Sequence, residues 1–299
     1  MSAELSLFLQ KAQHVLERLE PLLPKKHGTP DWSQVLAARW QPDAQGGYLA
    51  PLSVNLALEL EDLLGIERQR SILTANTQQF IQGFPANHAL LWGARGTGKS
   101  SLVRALLARF AVQGLRLIEI ERDALTDLPR LVASLGQDNA RWRFIVFCDD
   151  LSFEAGEGDY RVLKSVLDGS LEQAPDNLLL YATSNRRHLV PEKSSDNDHW
   201  QMVEGELHPN EAVEDKIALS DRFGLWLSFY SFSQDQYLDA VRHWVNQLAK
   251  ASSLNWIWND SDEKEALRWA LGRGNRSGRC AYQFARHWVG VKLSEQKGV

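Results

Sequence analysis

Residues 93–100 read GARGTGKS and constrain the fold of this chain more than any other stretch. They match the pattern G-x-x-x-x-G-K-[ST] and lie between a short apolar run, residues 88–92, and a helix predicted from Lys99 to Phe110. Glycines let the backbone curl so that its N–H groups point inward, and the first turn of the helix adds unpaired N–H groups and a positive dipole end. The stretch is therefore typical of a loop that holds the phosphates of a nucleotide.

The side chains of this phosphate loop have separable roles. The Lys99 ammonium can reach the β- and γ-phosphates, and the Ser100 hydroxyl can ligate Mg²⁺. The predicted phosphate-binding residues are Gly93, Ala94, Arg95, Gly96, Thr97, Gly98, Lys99, Ser100 and Ser101.

Short apolar runs alternate with predicted helices in the middle of the chain. The runs cover residues 88–92, 115–120, 144–148, 178–182 and 225–229, and helices are predicted over 99–110, 124–135 and 159–174. Continuous apolar strands indicate a parallel sheet that helices cover on both faces. The predicted fold class is α/β, a three-layer αβα sandwich.

Helical patterns flank this core on both sides. Helical pieces are predicted over residues 4–20, 32–40 and 53–82, the last with an interruption near Gly65, and over 234–250, 262–272 and 278–293. The predicted domains are a helical N-terminal extension (1–60), an α/β nucleotide-binding core (61–232) and a C-terminal helical lid (233–299).

Two acids, Asp149 and Asp150, end the apolar run 144–148. Ligands of open parallel sheets bind outside the carboxyl ends of the strands, and a phosphate loop needs a carboxylate on the metal side. We expect Asp149 to hold Mg²⁺ together with Ser100, and Asp150 to polarise the attacking water. The alternative is that one of the two aspartates caps the next helix.

Composition excludes several classes of protein. A net charge of −5 argues against a generally basic nucleic-acid binder, although residues 266–299 carry seven Lys or Arg against one acid. Residues 192–215 carry eight acids and one lysine and are predicted to form an exposed loop. Two cysteines indicate a reducing compartment, and no apolar run approaches the ~20 residues that span a bilayer. We expect a soluble, cytoplasmic protein without membrane contact.

Four further segments give the chain a resemblance to the AAA+ ATPase superfamily of P-loop nucleoside triphosphatases, over about residues 60–293: YATSN at 181–185, LSDRFG at 219–224, GNRSGR at 274–279 and LGIERQ at 64–69. The resemblance implies that Asn185 positions the lytic water, with Thr183 and Ser184 as weaker candidates. It implies as well that Arg222 reaches the nucleotide of a neighbouring subunit. It also implies that Arg279, or alternatively Arg276, reaches the phosphates from the lid, and that Ile66 contacts adenine.

The chain more closely resembles an uncharacterised bacterial family of predicted AAA+ ATPases that carries a domain-of-unknown-function label. Residues 84–101, 148–154, 184–189 and 220–224 carry this likeness. Many AAA+ members end the acidic motif with Asp-Glu, whereas this chain has Asp150 there, and its next glutamate is Glu154. Either acid is a candidate for activating water, and the shorter side chain suggests slow hydrolysis.

The resemblance implies ATP and Mg²⁺ as ligands, and the absence of an Asn-Lys-x-Asp motif favours ATP over GTP. The first hypothesis is an ATPase that remodels an unknown protein client as a homo-oligomer, because the finger arginine would act in trans. The alternatives are a nucleotide-dependent binding switch with little hydrolysis, and a nucleic-acid-associated ATPase suggested by the basic lid. The role of residues 1–50 stays open.

Overall fold

A computed structural model of the chain describes residues 28–44, 46–135, 141–152, 175–185 and 222–297. It also describes the backbone of residues 201–203 and 206–208, and the isolated positions 13, 14, 163 and 167. Most of the predicted helices over 4–20 and 159–174 lies outside the described residues, as does Glu154.

The centre of the fold is a seven-stranded sheet with the order β2-β1-β4-β5-β6-β3-β9. Every neighbouring pair in it is parallel except β1 and β2. The five predicted apolar runs are all strands, so the α/β prediction is confirmed. Their bounds are β3 Ala89–Gly93, β4 Leu115–Glu119, β5 Arg143–Cys148, β6 Leu178–Ser184 and β9 Leu225–Phe229.

The N-terminal region differs from the prediction. Residues 32–40 do not form a helix: β1 (Ala37–Gln41) and β2 (Tyr48–Leu52) form an antiparallel hairpin whose first strand pairs with β4. The turn uses Gly46 and Gly47 at positive φ, and a Cβ on Gly47 would lie 2.3 Å from the Trp40 ring. The prediction was wrong because a short apolar pattern fits a helix or a strand, and only pairing with β4 decides between them.

Six helices lie within the described residues, and their caps explain several of their ends. The three helices within residues 234–297 are called the lid below. Two of them follow the cap residues Ser233 and Asn259, whose side chains accept hydrogen bonds from backbone N–H groups of the first turn. The helices are α1 Glu67–Ile81, α2 Lys99–Phe110, α3 Leu128–Leu135, α4 Gln234–Ala251, α5 Asp260–Gly272 and α6 Gly278–Lys297.

Most helix predictions are confirmed, with two differences. Residues 53–66 contain only a single turn of 3₁₀ helix, Leu60–Asp62, where a longer helix was predicted. The segment 124–135 divides into a 3₁₀ turn, Arg122–Asp127, and α3. Within the acidic stretch 192–215, the strands β7 (Gln201–Val203) and β8 (Glu206–His208) pair antiparallel, and its other residues lie outside the described part.

Each face of the sheet has its own apolar core. One core joins the sheet to α1, α2 and the lid, through residues such as Leu73, Leu106 and Phe284. The other joins the opposite face to α3 and the N-terminal segment, with the Trp32 and Phe144 rings 5.0 Å apart. The lid therefore packs on the same side of the sheet as the helix that follows the phosphate loop. No helix in the described ranges is long and apolar enough to cross a membrane.

Both thiols of the chain are buried, and we expect them to be inert in the native protein. Burial raises the pKa of Cys148 to about 12 and also raises the pKa of Cys280. Because the thiolate is the reactive form, a disulfide reagent such as DTNB should modify neither residue at pH 8 until guanidinium unfolds the chain. Rapid release of the reporter from folded protein would contradict this packing.

Candidate nucleotide-binding site

Three neighbouring parallel strands end at one edge of the sheet and bring the predicted site residues together. β3 runs into the phosphate loop at Gly93, β5 ends before Asp149 and Asp150, and β6 ends before Asn185. The carboxyl ends of parallel strands are the usual ligand-binding edge of such a sheet. The sheet therefore gathers residues that lie far apart in the sequence.

The phosphate loop is anchored to the edge strand β9. Gly93 has a φ of 127°, and a Cβ there would lie 2.0 Å from the carbonyl oxygen of Phe229. The next residue, Ala94, donates its backbone N–H to that same oxygen at 2.9 Å. Within the loop, the buried Thr97 hydroxyl donates to the Ala94 carbonyl at 2.8 Å. Only glycine permits so close an approach of the two backbones.

The Lys99 ammonium lies against the first carbonyls of this loop. It donates to the carbonyls of Gly93 and Ala94, both at 2.8 Å, and to Asn185 Oδ1 at 3.3 Å. Burial lowers the pKa of Lys99, while the nearby carboxylates Asp149 and Asp150 oppose that shift. Lys99 as a residue is only 7% exposed, and its ammonium donates to neutral acceptors, so an anionic ligand would offset its loss of solvation.

Ser100 and Asp149 lie together beside the lysine, as predicted for Mg²⁺ ligands. The Ser100 hydroxyl donates to Asp149 Oδ1 at 2.6 Å, and the Thr183 hydroxyl donates to the same oxygen at 2.5 Å. These hard oxygen donors fit Mg²⁺, which takes few protein ligands and keeps waters and substrate phosphates. The described residues contain no cluster of three or more His, Cys, Asp or Glu that could hold a metal ion.

Thr183 organises both carboxylates. Besides its bond to Asp149, its hydroxyl accepts the backbone N–H of Asp150 at 2.9 Å, and its carbonyl accepts that of Leu151 at 2.6 Å. The sequence predicted Asn185 as the main polar residue here and treated Thr183 as a weaker candidate. The signal for Thr183 is its position: it lies on a strand that is buried throughout, where a hydroxyl must have partners.

Asp150 and Asn185 contact each other directly. Asp150 has a φ of 57°, a left-handed conformation that non-glycine residues adopt seldom, and its Oδ1 accepts a hydrogen bond from Asn185 Nδ2. Strained backbone of this kind is often found at functional sites. The two residues predicted to place the attacking water thus form one pair beside Lys99.

The lid contacts the phosphate loop through the start of α6. The Arg279 backbone N–H donates to the Gly96 carbonyl at 3.0 Å, and a Cβ on Gly96 would lie 2.9 Å from Ser277 Oγ. Arg276 is exposed, and its carbonyl accepts the Phe232 N–H at 2.9 Å. Of the two arginines that the sequence left as alternatives, Arg279 therefore lies against the loop and Arg276 against the segment that leads into the lid.

Ile66 lies beside the same loop, near Gly98. It is buried, it immediately precedes α1, and its Cδ1 is 3.3 Å from where a Cβ on Gly98 would be. The neighbouring Gly65, at a φ of 77°, lies against the Phe232 ring. Ser101 is half-buried in the first turn of α2. The structure thus places the Ile66 side chain beside the phosphate loop, and its contact with adenine stays a prediction.

Arg222 lies away from this cluster. It precedes β9, whose first residue Leu225 pairs with Ala89 at the start of β3. The phosphate loop leaves the other end of β3, about 13 Å along the strand from Ala89, and Arg222 lies three residues before the paired Leu225. The structure does not bring Arg222 to the nucleotide site of its own chain.

Comparison with known proteins agrees with this geometry. The sequence model of a family described as "Protein of unknown function (DUF815)" matches residues 33–292. No curated protein matches the chain.

Solved structures share the fold at low sequence identity. The Aeropyrum pernix Orc1 protein, in complex with DNA, is 16% identical over 79% of this chain and 61% of its own, with a TM-score of 0.54. Thermotoga maritima RuvB, described as a Holliday junction branch migration motor, is 14% identical over 77% of this chain and 64% of its own, with a TM-score of 0.50. The chain therefore has the AAA+ fold, and it spans less than two thirds of those proteins.

We expect Thr183→Val to impair turnover of ATP more than its binding. The variant keeps the shape of the side chain but removes the hydroxyl that holds the Asp149 carboxylate and the Asp150 backbone, and misplaced catalytic groups cost up to about 10²-fold in rate. Steady-state ATPase assays and nucleotide titrations should show a lower kcat with a nearly unchanged Kd.

The matched control is Thr74→Val, which removes a hydroxyl for which the described residues provide no hydrogen-bond partner. It should leave both constants unchanged. Equal kcat values for the two variants would mean that Thr183 does not organise the carboxylates.

Proposed function

We propose that this chain, which belongs to the family described as protein of unknown function (DUF815), is an ATPase that couples Mg²⁺-ATP binding and hydrolysis to a conformational change acting on a partner. The observation that carries the proposal is the cluster at the sheet edge, where Lys99 contacts the phosphate loop and Asp149 contacts Ser100. An ammonium, a carboxylate and a glycine loop at the start of a helix are what Mg²⁺-triphosphate binding requires.

In this proposal ATP binds between core and lid. The amides of residues 93–101 and the Lys99 ammonium hold the phosphates, while Ser100 and Asp149 hold Mg²⁺ through oxygen atoms. Ile66 offers an apolar contact for the base, and Arg279 extends from the lid segment that packs on Gly96. Mg²⁺ would neutralise charge on the β- and γ-phosphates.

Hydrolysis needs a positioned water and a stabilised leaving charge. Asp150, hydrogen-bonded to Asn185, is our candidate for polarising the water, with Glu154 as the alternative. A guanidinium matches the charge that develops on γ-phosphate oxygens. Arg222 lies at the amino-terminal ends of the strands, whereas the nucleotide site of its own chain lies at their carboxyl ends. We therefore propose that Arg222 serves the site of a neighbouring subunit and that the working form is a homo-oligomer.

The lid is suited to transmit the state of the loop. Gly96 contacts α6 through the Arg279 N–H, and Phe232 at the entry to the lid contacts the Arg276 carbonyl at its far side. A shift of the loop on loss of the γ-phosphate would thus move the start of α6 and, through Arg276, the segment around Phe232 that leads into the lid. A hinge change of this kind can remodel a bound protein client.

A second candidate is a binding switch with little hydrolysis. The observation that favours it is the shorter side chain at Asp150, which stands where many AAA+ members have glutamate. Turnover near ~10⁻³ s⁻¹, the scale of an unassisted switch GTPase, would support the switch.

Nucleic acid is the less favoured partner. The basic lid has the charge for it, but the Trp269 ring already packs on the Arg273 guanidinium at 3.5 Å and on the His287 ring at 4.8 Å. Single strands are usually bound by aromatic faces that are open to bases. Salt-dependent binding to single- or double-stranded DNA would reverse this preference.

We expect Mg²⁺-ATP to drive assembly of the homo-oligomer. The Asp150→Asn variant should keep ATP bound by slowing hydrolysis, and so keep the oligomer assembled. Size-exclusion chromatography with light scattering should show a larger species for this variant with ATP than without. For the wild type, specific ATPase activity should rise with protein concentration, since each site needs a neighbour.

Arg222→Ala should lower kcat by on the order of 10³-fold while ATP still binds. The control is Arg130→Ala, which removes an exposed arginine of α3 that pairs with Asp127 in the preceding 3₁₀ turn, and it should behave as wild type. Turnover that ignores both protein concentration and Arg222→Ala would contradict the trans-acting arginine.

A further inference from the structure

We infer that Asn87, held by Asn76 of α1, is a positioning residue for Arg222. The inference rests on the proposed role of Arg222 in the site of a neighbouring subunit. It concerns the amino-terminal ends of the strands, opposite the phosphate loop, where the chain leads from Asn87 into β3 and from Arg222 into β9.

The two segments touch at Gly224, two residues after the arginine. A Cβ on Gly224 would lie 2.3 Å from Asn87 Oδ1, 2.6 Å from its Cγ and 2.9 Å from its Cβ. Rotating the Asn87 carboxamide would move Oδ1 away, but the Cβ would stay below normal contact distance. A side chain at residue 224 therefore forces one of the two backbones to move.

Asn87 cannot move easily, because Asn76 binds both of its backbone polar groups. The Asn87 N–H donates to Asn76 Oδ1 and the Asn87 carbonyl accepts from Asn76 Nδ2, both at 2.9 Å. Asn76 is 5% exposed and also donates to the buried Tyr181 hydroxyl at 3.0 Å. That hydroxyl bonds in turn to Thr77 at 2.9 Å. The strain from a residue-224 side chain would thus fall on the segment that carries Arg222.

The rest of that segment is fixed on its other side. Phe223 is buried in the core on the α3 face, and the Leu225 N–H donates to the His88 carbonyl at 3.1 Å. Arg222 is therefore the first residue of a segment whose next three members are each held. Its direction depends on the fit between Gly224 and Asn87.

The same helix contacts the nucleotide site of its own chain. Just before α1, Ile66 lies beside Gly98, and in the first turn Gln69 Nε2 donates to the Ser228 carbonyl at 2.6 Å. Ten residues of helix, about 15 Å, separate Ile66 from Asn76. A shift of the phosphate loop that moves α1 would accordingly move Asn87 and the arginine offered to the next subunit.

The first test compares two glycine-to-alanine variants. Gly224→Ala adds the methyl group that collides with Asn87, whereas Gly290→Ala adds one on α6 where no atom lies within 4 Å. Neither glycine has a positive φ, so both changes are steric only. We expect Gly224→Ala to lower kcat by about 10²-fold, the scale of a ~1 Å misplacement, with unchanged ATP affinity. Gly290→Ala should match the wild type.

Two further experiments separate mispositioning of Arg222 from a general loss of structure, because an unfolded variant would regain activity in neither. One removes the collision by a second substitution, and the other mixes variant subunits in one oligomer. Adding Asn87→Gly to Gly224→Ala should restore most of the rate. Asp149→Asn subunits, which cannot complete the metal site but keep Arg222, should restore hydrolysis by Gly224→Ala subunits in mixed oligomers. The Asp149→Asn, Gly224→Ala double variant should fail to restore hydrolysis by Arg222→Ala subunits.

The outcomes separate this inference from the proposed function. If Arg222→Ala leaves turnover unchanged, the trans role itself is wrong. If Arg222→Ala abolishes turnover but Gly224→Ala equals Gly290→Ala, the positioning role of Asn87 is overturned and the proposed function stands. Failure of mixed-oligomer rescue would also overturn it. If Gly224→Ala does not fold by circular dichroism, Asn76→Ala replaces it, with the same pattern expected and wild-type turnover as the contradicting result.

Discussion

One close backbone approach determines the geometry of the whole site. The Phe229 carbonyl of the edge strand lies where a side chain on Gly93 would be, and it accepts the N–H of Ala94. This contact fixes where the phosphate loop leaves β3. From that point the loop presents its carbonyls to Lys99 and the Gly96 carbonyl to the lid, so core and lid are assembled around the same few backbone atoms.

The charged groups around the phosphate loop are placed so that a charged ligand would balance them. Burial lowers the pKa of Lys99, and the carboxylates Asp149 and Asp150 counteract this without forming a direct ion pair with the ammonium. Asp149 instead accepts from the Ser100 and Thr183 hydroxyls. In the proposed function, the phosphates would lie beside Lys99 and Mg²⁺ beside Asp149, which is the arrangement that a metal-bound triphosphate requires.

Local patterns in the sequence were enough for the core. The five apolar strands, the phosphate loop and the acid pair each lie on consecutive residues, where apolar runs and glycine spacing are decisive, and all appear in the structure as predicted. Strand β1 was mistaken for part of a helix because its residues pair with β4, some 80 positions away. That the Arg279 backbone, and not that of Arg276, contacts Gly96 also became known only from the tertiary structure.

The sequence by itself determined that this chain has a phosphate loop on a parallel sheet, because that motif needs only a strand, glycines and a helix start in order. Only the tertiary structure decided that Thr183 holds both aspartates, that Arg222 lies at the opposite edge from its own site, and that Asn76 and Asn87 fix the segment behind it. These contacts join residues far apart in the chain. No local propensity encodes them, since they depend on strand order and on the close packing of backbones.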